Sequence, residues 1–287
     1  LGENVEISHG VTSLPRQTGE VSTPSAPTRW CAEPRDAVEV AGPDALSYLH
    51  SQLSQRVDDL AVGASRWTLV LQPAGKIDAL ARVWRVDEER FVVDTDAGFG
   101  DVLAARLARF KIRVRAELMR RSLTSITAWG GSPEPGSDAV VGWWAVGVHL
   151  LGEAPVAPVG WAEANAGELL AARVDAGWPA MGAEIVVGES IPAESGIVSV
   201  AVDFTKGCYP GQELVERMDS RGSAAPRLLR RLTVAEGARP GDPIVVDGAD
   251  VGLLTSVAGT RALGLVRRTV ELGDPVTPPA AAPPPPA

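Results

Sequence analysis

Apolar and polar residues alternate along Ala37-Val38-Glu39-Val40-Ala41, the period of a half-buried strand. Gly42-Pro43-Asp44 follows. Behind it Leu46, Leu49, Leu53 and Val57 recur at three-to-four spacing, which predicts a helix with Asp44 near its first turn. Leu69-Val70-Leu71 runs as a strand into the turn Gln72-Pro73-Ala74-Gly75-Lys76. Ile77 to Val86 and Phe91 to Asp94 then read as hairpin strands joined through Asp87-Glu88-Glu89. Residues 98–110 form a second amphipathic pattern, with Val102, Leu103, Leu107 and Phe110 apolar. The theme repeats in the middle of the chain: strands around Ser125 to Trp129 and from Val140 to Val148, a loop at Pro133-Glu134-Pro135-Gly136, and a helix from Gly167 to Ala176. After residue 227 come short apolar runs between Gly, Pro and Asp turns, among them Pro243-Ile244-Val245-Val246 and Ala262-Leu263-Gly264-Leu265-Val266. That spacing predicts a small antiparallel barrel.

The fold class expected is therefore α+β, with helices covering mainly antiparallel sheets. No Gly-x-Gly-x-x-Gly follows a first strand and no Gly-x-x-x-x-Gly-Lys-Ser/Thr occurs, so nucleotide binding of those types is not indicated. A chain of 287 residues accommodates two or three compact units. Composition divides it into a mobile arm (1–34, with the linker-like run Ser22 to Pro27), a first α+β domain (35–121), a second (122–226), the barrel (227–277) and a Pro/Ala-rich disordered tail (278–287).

Hydrophobic residues at 45% and charged residues at 22% are ordinary for a globular protein. The longest apolar stretch, Ala139 to Leu151, is too short for a membrane span and is broken by glycine and His149. A net charge of −9 argues against general nucleic-acid binding. Local arginine clusters remain, at Arg227, Arg230 and Arg231 and from Arg106 to Arg115. They read first as solvated faces balancing acidic neighbours and second as attraction for an anionic ligand. Two cysteines make no disulfide framework and no secretory signal is evident, so a reducing, cytoplasmic setting is expected. A monomer is a separate expectation. His9, His50 and His149 are isolated from one another and from both cysteines, so no metal site is indicated.

The densest candidate chemistry is Lys206-Gly207-Cys208-Tyr209-Pro210-Gly211-Gln212-Glu213, which sets one of two cysteines beside one of three lysines, between glycines. An ammonium near a thiol favours the thiolate, the nucleophilic and metal-binding form. By its chemistry alone the segment fits a turn with a small core cysteine about as well as a reactive site.

Lys-Gly-Cys-Tyr-x-Gly-Gln-Glu resembles the signature of the YgfZ family, folate-binding proteins related to the glycine cleavage T-protein and associated with iron-sulfur enzymes. The resemblance extends over about residues 35 to 275. Val38 to Ala45 resembles the superfamily's opening strand and Gly-x-Asp-Ala helix start. Gln72 to Ile77 resembles its turn before the second hairpin, and Arg173 to Pro179 with Ile191-Pro192-Ala193-Glu194 resembles the landmarks before the signature. Arg221-Gly222 resembles the pair leading into the barrel. It implies a three-domain architecture around a central opening that takes tetrahydrofolate or a one-carbon-substituted folate. Cys208 and Lys206 would be the reacting pair, and Tyr209, Gly211, Gln212, Glu213, Arg173 and Asp78 would contact the cofactor. Arg173 alternatively forms a salt bridge with Asp175 or Glu168. The T-protein carries an acidic pair after the central turn where this chain has Asp78 alone, and it lacks Lys-Gly-Cys, so the resemblance points to the YgfZ branch.

The function implied is assistance in assembly, maintenance or repair of iron-sulfur enzymes, with those client enzymes or assembly factors as partners. The alternative is a folate-dependent aminomethyltransferase or other one-carbon transferase acting on a small amine or modified tRNA, with Asp78 as its acid or base. A plain interaction module is a third class. Of the eight tryptophans, Trp129, Trp143, Trp144, Trp161 and Trp178 are candidates to line the opening, although most read as core or surface residues.

Overall fold

The computed structural model describes residues 28–131, 140–141, 147–220 and 225–276. The arm up to residue 27, the loop at 133–136, Trp143, Trp144, Arg221-Gly222 and the tail 278–287 lie outside the described residues.

The chain opens with β1 (Arg29–Ala41), followed by α1 (Ala45–Gln52), β2 (Ser65–Leu71), β3 (Ile77–Arg85), β4 (Arg90–Asp96), α2 (Gly100–Arg109) and β5 (Glu117–Trp129). Next come β6 (Val140–Val141), β7 (Gly147–Gly152), β8 (Ala162–Glu163) and α3 (Ala166–Ala176). A 3-10 turn (Pro192–Glu194), α4 (Val198–Ala201) and α5 (Gln212–Ser220) lead to β9 (Arg227–Thr233), β10 (Pro243–Val246), β11 (Ala249–Ala258), β12 (Arg261–Arg267) and β13 (Asp274–Pro275).

Strands β2-β3-β4-β1-β5-β7-β6 lie in that order in one eight-stranded sheet. It is antiparallel except where the short β8 pairs with β1 in parallel. Residues 29–34, expected in the mobile arm, are strand instead, because Arg29 to Pro34 pair with Trp129 to Thr124 of β5. The first helix ends at Gln52, earlier than its apolar period implies, and Leu53 and Val57 are buried from the loop beyond it.

Alternation gives the sheet two faces. Val38, Val40, Ala79, Ala81, Val83, Phe91 and Val93 point towards α1 and α2 and form one core with Leu49, Leu103 and Leu107. The opposite face carries Leu69, Leu71 and Leu80, packed under Trp178, Met181, Ile185, Ile197 and Tyr209 from the long segment between α3 and α5. Burial on both faces explains why β3 is almost entirely buried along its length.

The C-terminal strands form a five-stranded antiparallel sheet, β10-β11-β12-β9-β13, over a core that includes Leu232, Ile244, Leu254 and Val266. The closed barrel expected from strand spacing is not confirmed. Among the described residues β10 pairs with β11 and the two-residue β13 with β9, and no ladder joins the two edges.

Candidate functional site

A buried charge system lies on the second face of the large sheet. Arg82 of β3 stands opposite Asp94 of β4, and Arg35 of β1 stands opposite Asp96 of β4. Since side chains two residues apart share a face, both pairs project the same way. Arg35 Nε donates to Asp94 at 2.9 Å and its Nη1 to Asp96. The Arg82 guanidinium lies over the rings of Trp84 and Trp67, 4.2 Å and 5.0 Å from their centroids, and Trp84 Nε1 donates to Asp94 at 2.6 Å. Burial lowers the Arg82 pKa to about 10, against the opposing pull of Asp94, which leaves it cationic at neutral pH. Burial also disfavours charge on Arg35, but Asp96 and Asp94 overcome it and hold the group above the usual arginine range.

The same face continues onto β5 and β7. Ser125 stands opposite Glu33, and Thr127 opposite both Cys31 and His149. Burial raises the Glu33 pKa, although Arg35 opposes it, and Thr127 Oγ1 donates to its carboxylate at 3.2 Å. His149 is buried, 3.1 Å from Thr127 Oγ1. Desolvation first, then Arg82 and Arg35, keeps it neutral.

The opposite wall comes from the end of α3. A capping box between Asn165 and Glu168 starts this helix, and Gly177 ends it in the left-handed conformation at φ +69°. The reversal sends the Trp178 N–H back to the Arg173 carbonyl at 3.1 Å and brings the Trp178 carbonyl to Arg173 Nη1 at 2.8 Å. Arg173 also donates to Glu184 at 2.8 Å and to Ser256 of β11. Neither partner expected from sequence is used: Asp175 pairs with Arg261 and Glu168 with Arg29. Between the walls lies a cleft of about 320 Å³ lined by Glu33, Arg35, Trp67, Arg82, His149, Arg173 and Trp178, among others. Trp67 and Trp178 touch there, with ring centroids 4.8 Å apart.

The signature builds a second centre. Cys208 is exposed, while its neighbours Lys206 and Tyr209 are buried. Cys31 is buried in β1, and both thiols are free. Lys206 Nζ donates to the carbonyls of His50 and Leu53 at the end of α1, where a cation suits the helix dipole. Burial lowers its pKa to about 8. The Lys206 ammonium thus anchors the loop to α1 rather than being committed to the thiol. Burial pushes Tyr209 up to about 12. Gln212 begins α5 and bonds to Glu216 at 2.5 Å, and the exposed Glu213 pairs with Arg217.

Two sequence landmarks interlock here. Gly211, at φ +86°, sits so close to the turn after β2 that a Cβ would lie 2.6 Å from the Gln72 carbonyl oxygen. Gly75, at φ +81°, is covered in the same way by Leu214. Asp78 lies behind this turn, accepting from Gln72 at 2.7 Å and 3.6 Å from Arg106. Arg173 is therefore the one sequence-nominated contact residue that lines the cleft, and Trp178 the one nominated tryptophan, among the described residues. Gly211 and Asp78 lie against the turn instead, Lys206 is held at the end of α1, and Cys208, Tyr209, Gln212 and Glu213 are not among the residues lining the cleft. Sequence reading missed Arg35, Arg82, Asp94, Glu33 and Trp67. Their signal was charge inside otherwise apolar strands, at Arg82 in Ile77–Arg85 and Asp94 in Arg90–Asp96.

Three arginines of the clusters noted in the sequence are engaged singly. Arg106 is buried on the Leu71 carbonyl, Arg227 pairs with Glu194, and Arg231 donates to the Asp175 carbonyl.

No family model matches the chain. It is 30% identical over 196 residues to an uncharacterized protein of Haemophilus influenzae, covering 65% of this chain and 66% of that one. It is 26% identical over 217 residues to an iron-sulfur cluster assembly factor IBA57 homolog, mitochondrial, of Pyricularia oryzae, covering 68% and 54%. The corresponding protein of Cryptococcus neoformans is 26% identical over 240 residues, covering 68% and 63%. The chain thus spans between about half and two thirds of the length of these relatives. The crystal structure of glycine cleavage system aminomethyltransferase T from Bartonella henselae superposes with a TM-score of 0.61 at 17% identity, over 85% of this chain and 79% of that one, which establishes the fold. The chain thus has the fold of aminomethyltransferase T and is similar in sequence to IBA57 homologs, which agrees with the resemblance its signature carries to the YgfZ family.

Proposed function

We propose that this protein assists assembly, maintenance or repair of iron-sulfur enzymes, holding a folate in the cleft and presenting Cys208 to a protein partner. The observation that carries the second half is the exposed thiol on a loop whose flanking residues, Lys206 and Tyr209, are buried anchors. A thiol so placed meets a macromolecule more readily than an interior ligand. One thiolate supplies one of the four ligands a cluster needs, so the remaining ligands come from a client or a small thiol. The names of the fungal relatives support the iron-sulfur context.

The cleft residues fit a folate ring. The volume of about 320 Å³ is at the lower end for small-molecule sites, and its wall combines two indoles with guanidinium groups and unpartnered polar atoms. Bound tetrahydrofolate would supply one-carbon or redox chemistry. Trp67 and Trp178 would pack against the ring, Arg173 would fix the far wall through Glu184, and Glu33 is the carboxyl positioned to hold a proton. For the one-carbon transferase reading this makes Glu33 a better acid or base than Asp78, which is engaged by Gln72 and Arg106.

Two measurements test the proposal. In cells deleted for the gene, iron-sulfur enzymes should lose activity relative to cluster-free enzymes, and wild type but not Cys208→Ala should restore it. Anaerobic titration with tetrahydrofolate should give saturable binding in both proteins. Full restoration by Cys208→Ala would remove the thiol from the function, and absence of binding would remove the folate.

A further inference from the structure

Glu33, Thr127 and His149 stand on the adjacent strands β1, β5 and β7, on one face of the large sheet. Glu33 and His149 line the cleft, and Thr127, 1% exposed, joins them through one hydroxyl, 3.2 Å from the Glu33 carboxylate and 3.1 Å from His149 Nδ1. A hydroxyl carries one hydrogen, an ionised carboxylate only accepts, and a neutral imidazole donates from one nitrogen alone. Two complete arrangements follow. With Glu33 ionised, Thr127 donates to it and accepts from His149, whose hydrogen is then on Nδ1. With Glu33 protonated and donating to Thr127, the hydroxyl donates to His149 instead, and the imidazole hydrogen is on Nε2.

We propose that Glu33, Thr127 and His149 form a proton relay in the cleft wall, with Thr127 passing a proton between the other two, so that the His149 tautomer follows the charge on Glu33. In the direction that loads Glu33, a solvent proton binds His149 Nε2, the Nδ1 hydrogen moves to Thr127 Oγ1, and the hydroxyl's own hydrogen moves to the carboxylate. The triad gains the one proton it took up, Glu33 loses its charge, and His149 begins and ends neutral. The surroundings fit that division of labour. Burial first, then Arg82 of β3 and Arg35 of β1, disfavours a charged His149. Glu33 is faced by Arg35, Arg82, Asp96 of β4 and the thiol of Cys31. Burial and Asp96 favour its protonated form, against Arg35, Thr127 and Arg82. Arg173, on the far wall, is engaged by Glu184. The carboxyl is thus the member that changes charge and the imidazole the member that changes tautomer. A merely structural cluster would keep one tautomer at every pH.

The inference rests on the folate reading only for what receives the proton, so its test uses the whole protein without ligand. Ring-nitrogen NMR of isotope-labelled histidine is followed across pH, with the His149 signals assigned by their loss in His149→Gln. In the wild type the hydrogen should lie on Nδ1 at alkaline pH and move to Nε2 as pH falls through one midpoint above the ordinary glutamate value of 4.5, with His149 neutral on both sides of it. Glu33→Gln and Thr127→Val should each abolish the pH dependence, and Thr127→Ser, which keeps the hydroxyl, should retain it. A wild-type tautomer that is constant with pH would overturn the relay, as would a switch that survives Thr127→Val. Should Thr127→Val fail to fold, Glu33→Gln decides: persistence of the switch in that variant overturns the relay, and its loss supports it. The wild-type sample is then titrated with tetrahydrofolate. An intact switch without binding would remove the folate reading and leave the relay, whereas binding beside a constant tautomer would do the reverse.

Discussion

Lys206 is a cation that water barely reaches, held by two main-chain carbonyls. Its folded pKa of about 8 lies below the ordinary 10.5. Between those values the unfolded chain binds the extra proton, so stability rises with pH as the desolvation cost is relieved. Urea unfolding of wild type and Lys206→Met should therefore differ by an amount that shifts in favour of wild type between pH 8 and 10.5, by up to ~3 kcal/mol. A flat difference would mean that the ammonium is not desolvated. Cys208, two residues away, is exposed, so Cys208→Ser should change stability by less than about 0.5 kcal/mol while abolishing restoration of client activity. Unfolding and cell assays on the same variant separate the two effects.

Among elements, the β2–β3 turn and the start of α5 pack closely against one another. Gly211 has a left-handed φ and meets main chain where a side chain would stand, whereas a Cβ on Gly207 would meet nothing within 4 Å. Gly211→Ala should cost roughly 2 kcal/mol or more, from positive φ and the clash with the Gln72 carbonyl together. Gly207→Ala should be nearly neutral by thermal unfolding. Equal effects would show that the loop does not dock on the turn. The resemblance implies a cofactor contact at Gly211, but what approaches it is the protein's own turn. Helix α3 illustrates a legible element, because Asn165, Glu168 and Gly177 mark its ends by chemistry that acts locally.

Across the whole molecule, Arg173 connects the end of α3, the buried Glu184 and Ser256 of the C-terminal sheet. The Glu184 side chain is fully buried, so Arg173→Met strands a charge and should destabilise by about 3–5 kcal/mol. Adding Glu184→Gln should recover part of that loss. Chemical denaturation of the single and double variants checks this, and additive losses would mean that the pair does not couple.

The periodicity of the chain by itself determined the α+β class, the β3–β4 hairpin and the helices α2 and α3, because amphipathic alternation and capping act over a few residues. The signature and its companion landmarks likewise pointed to the family. Residues 29–34 carried no strong strand pattern and became ordered only through pairing with β5. The strand order of the C-terminal sheet was equally invisible in strand spacing. What only the tertiary structure decided was which side chains meet. Register placed Arg82 against Asp94 and Arg35 against Asp96, and the reversal at Gly177 brought Trp178 across to Trp67. The same packing set the cleft apart from the Cys208 loop. Contacts between residues far apart in sequence depend on strand order and on which face each strand turns inward, and neither is encoded in any local stretch of this chain.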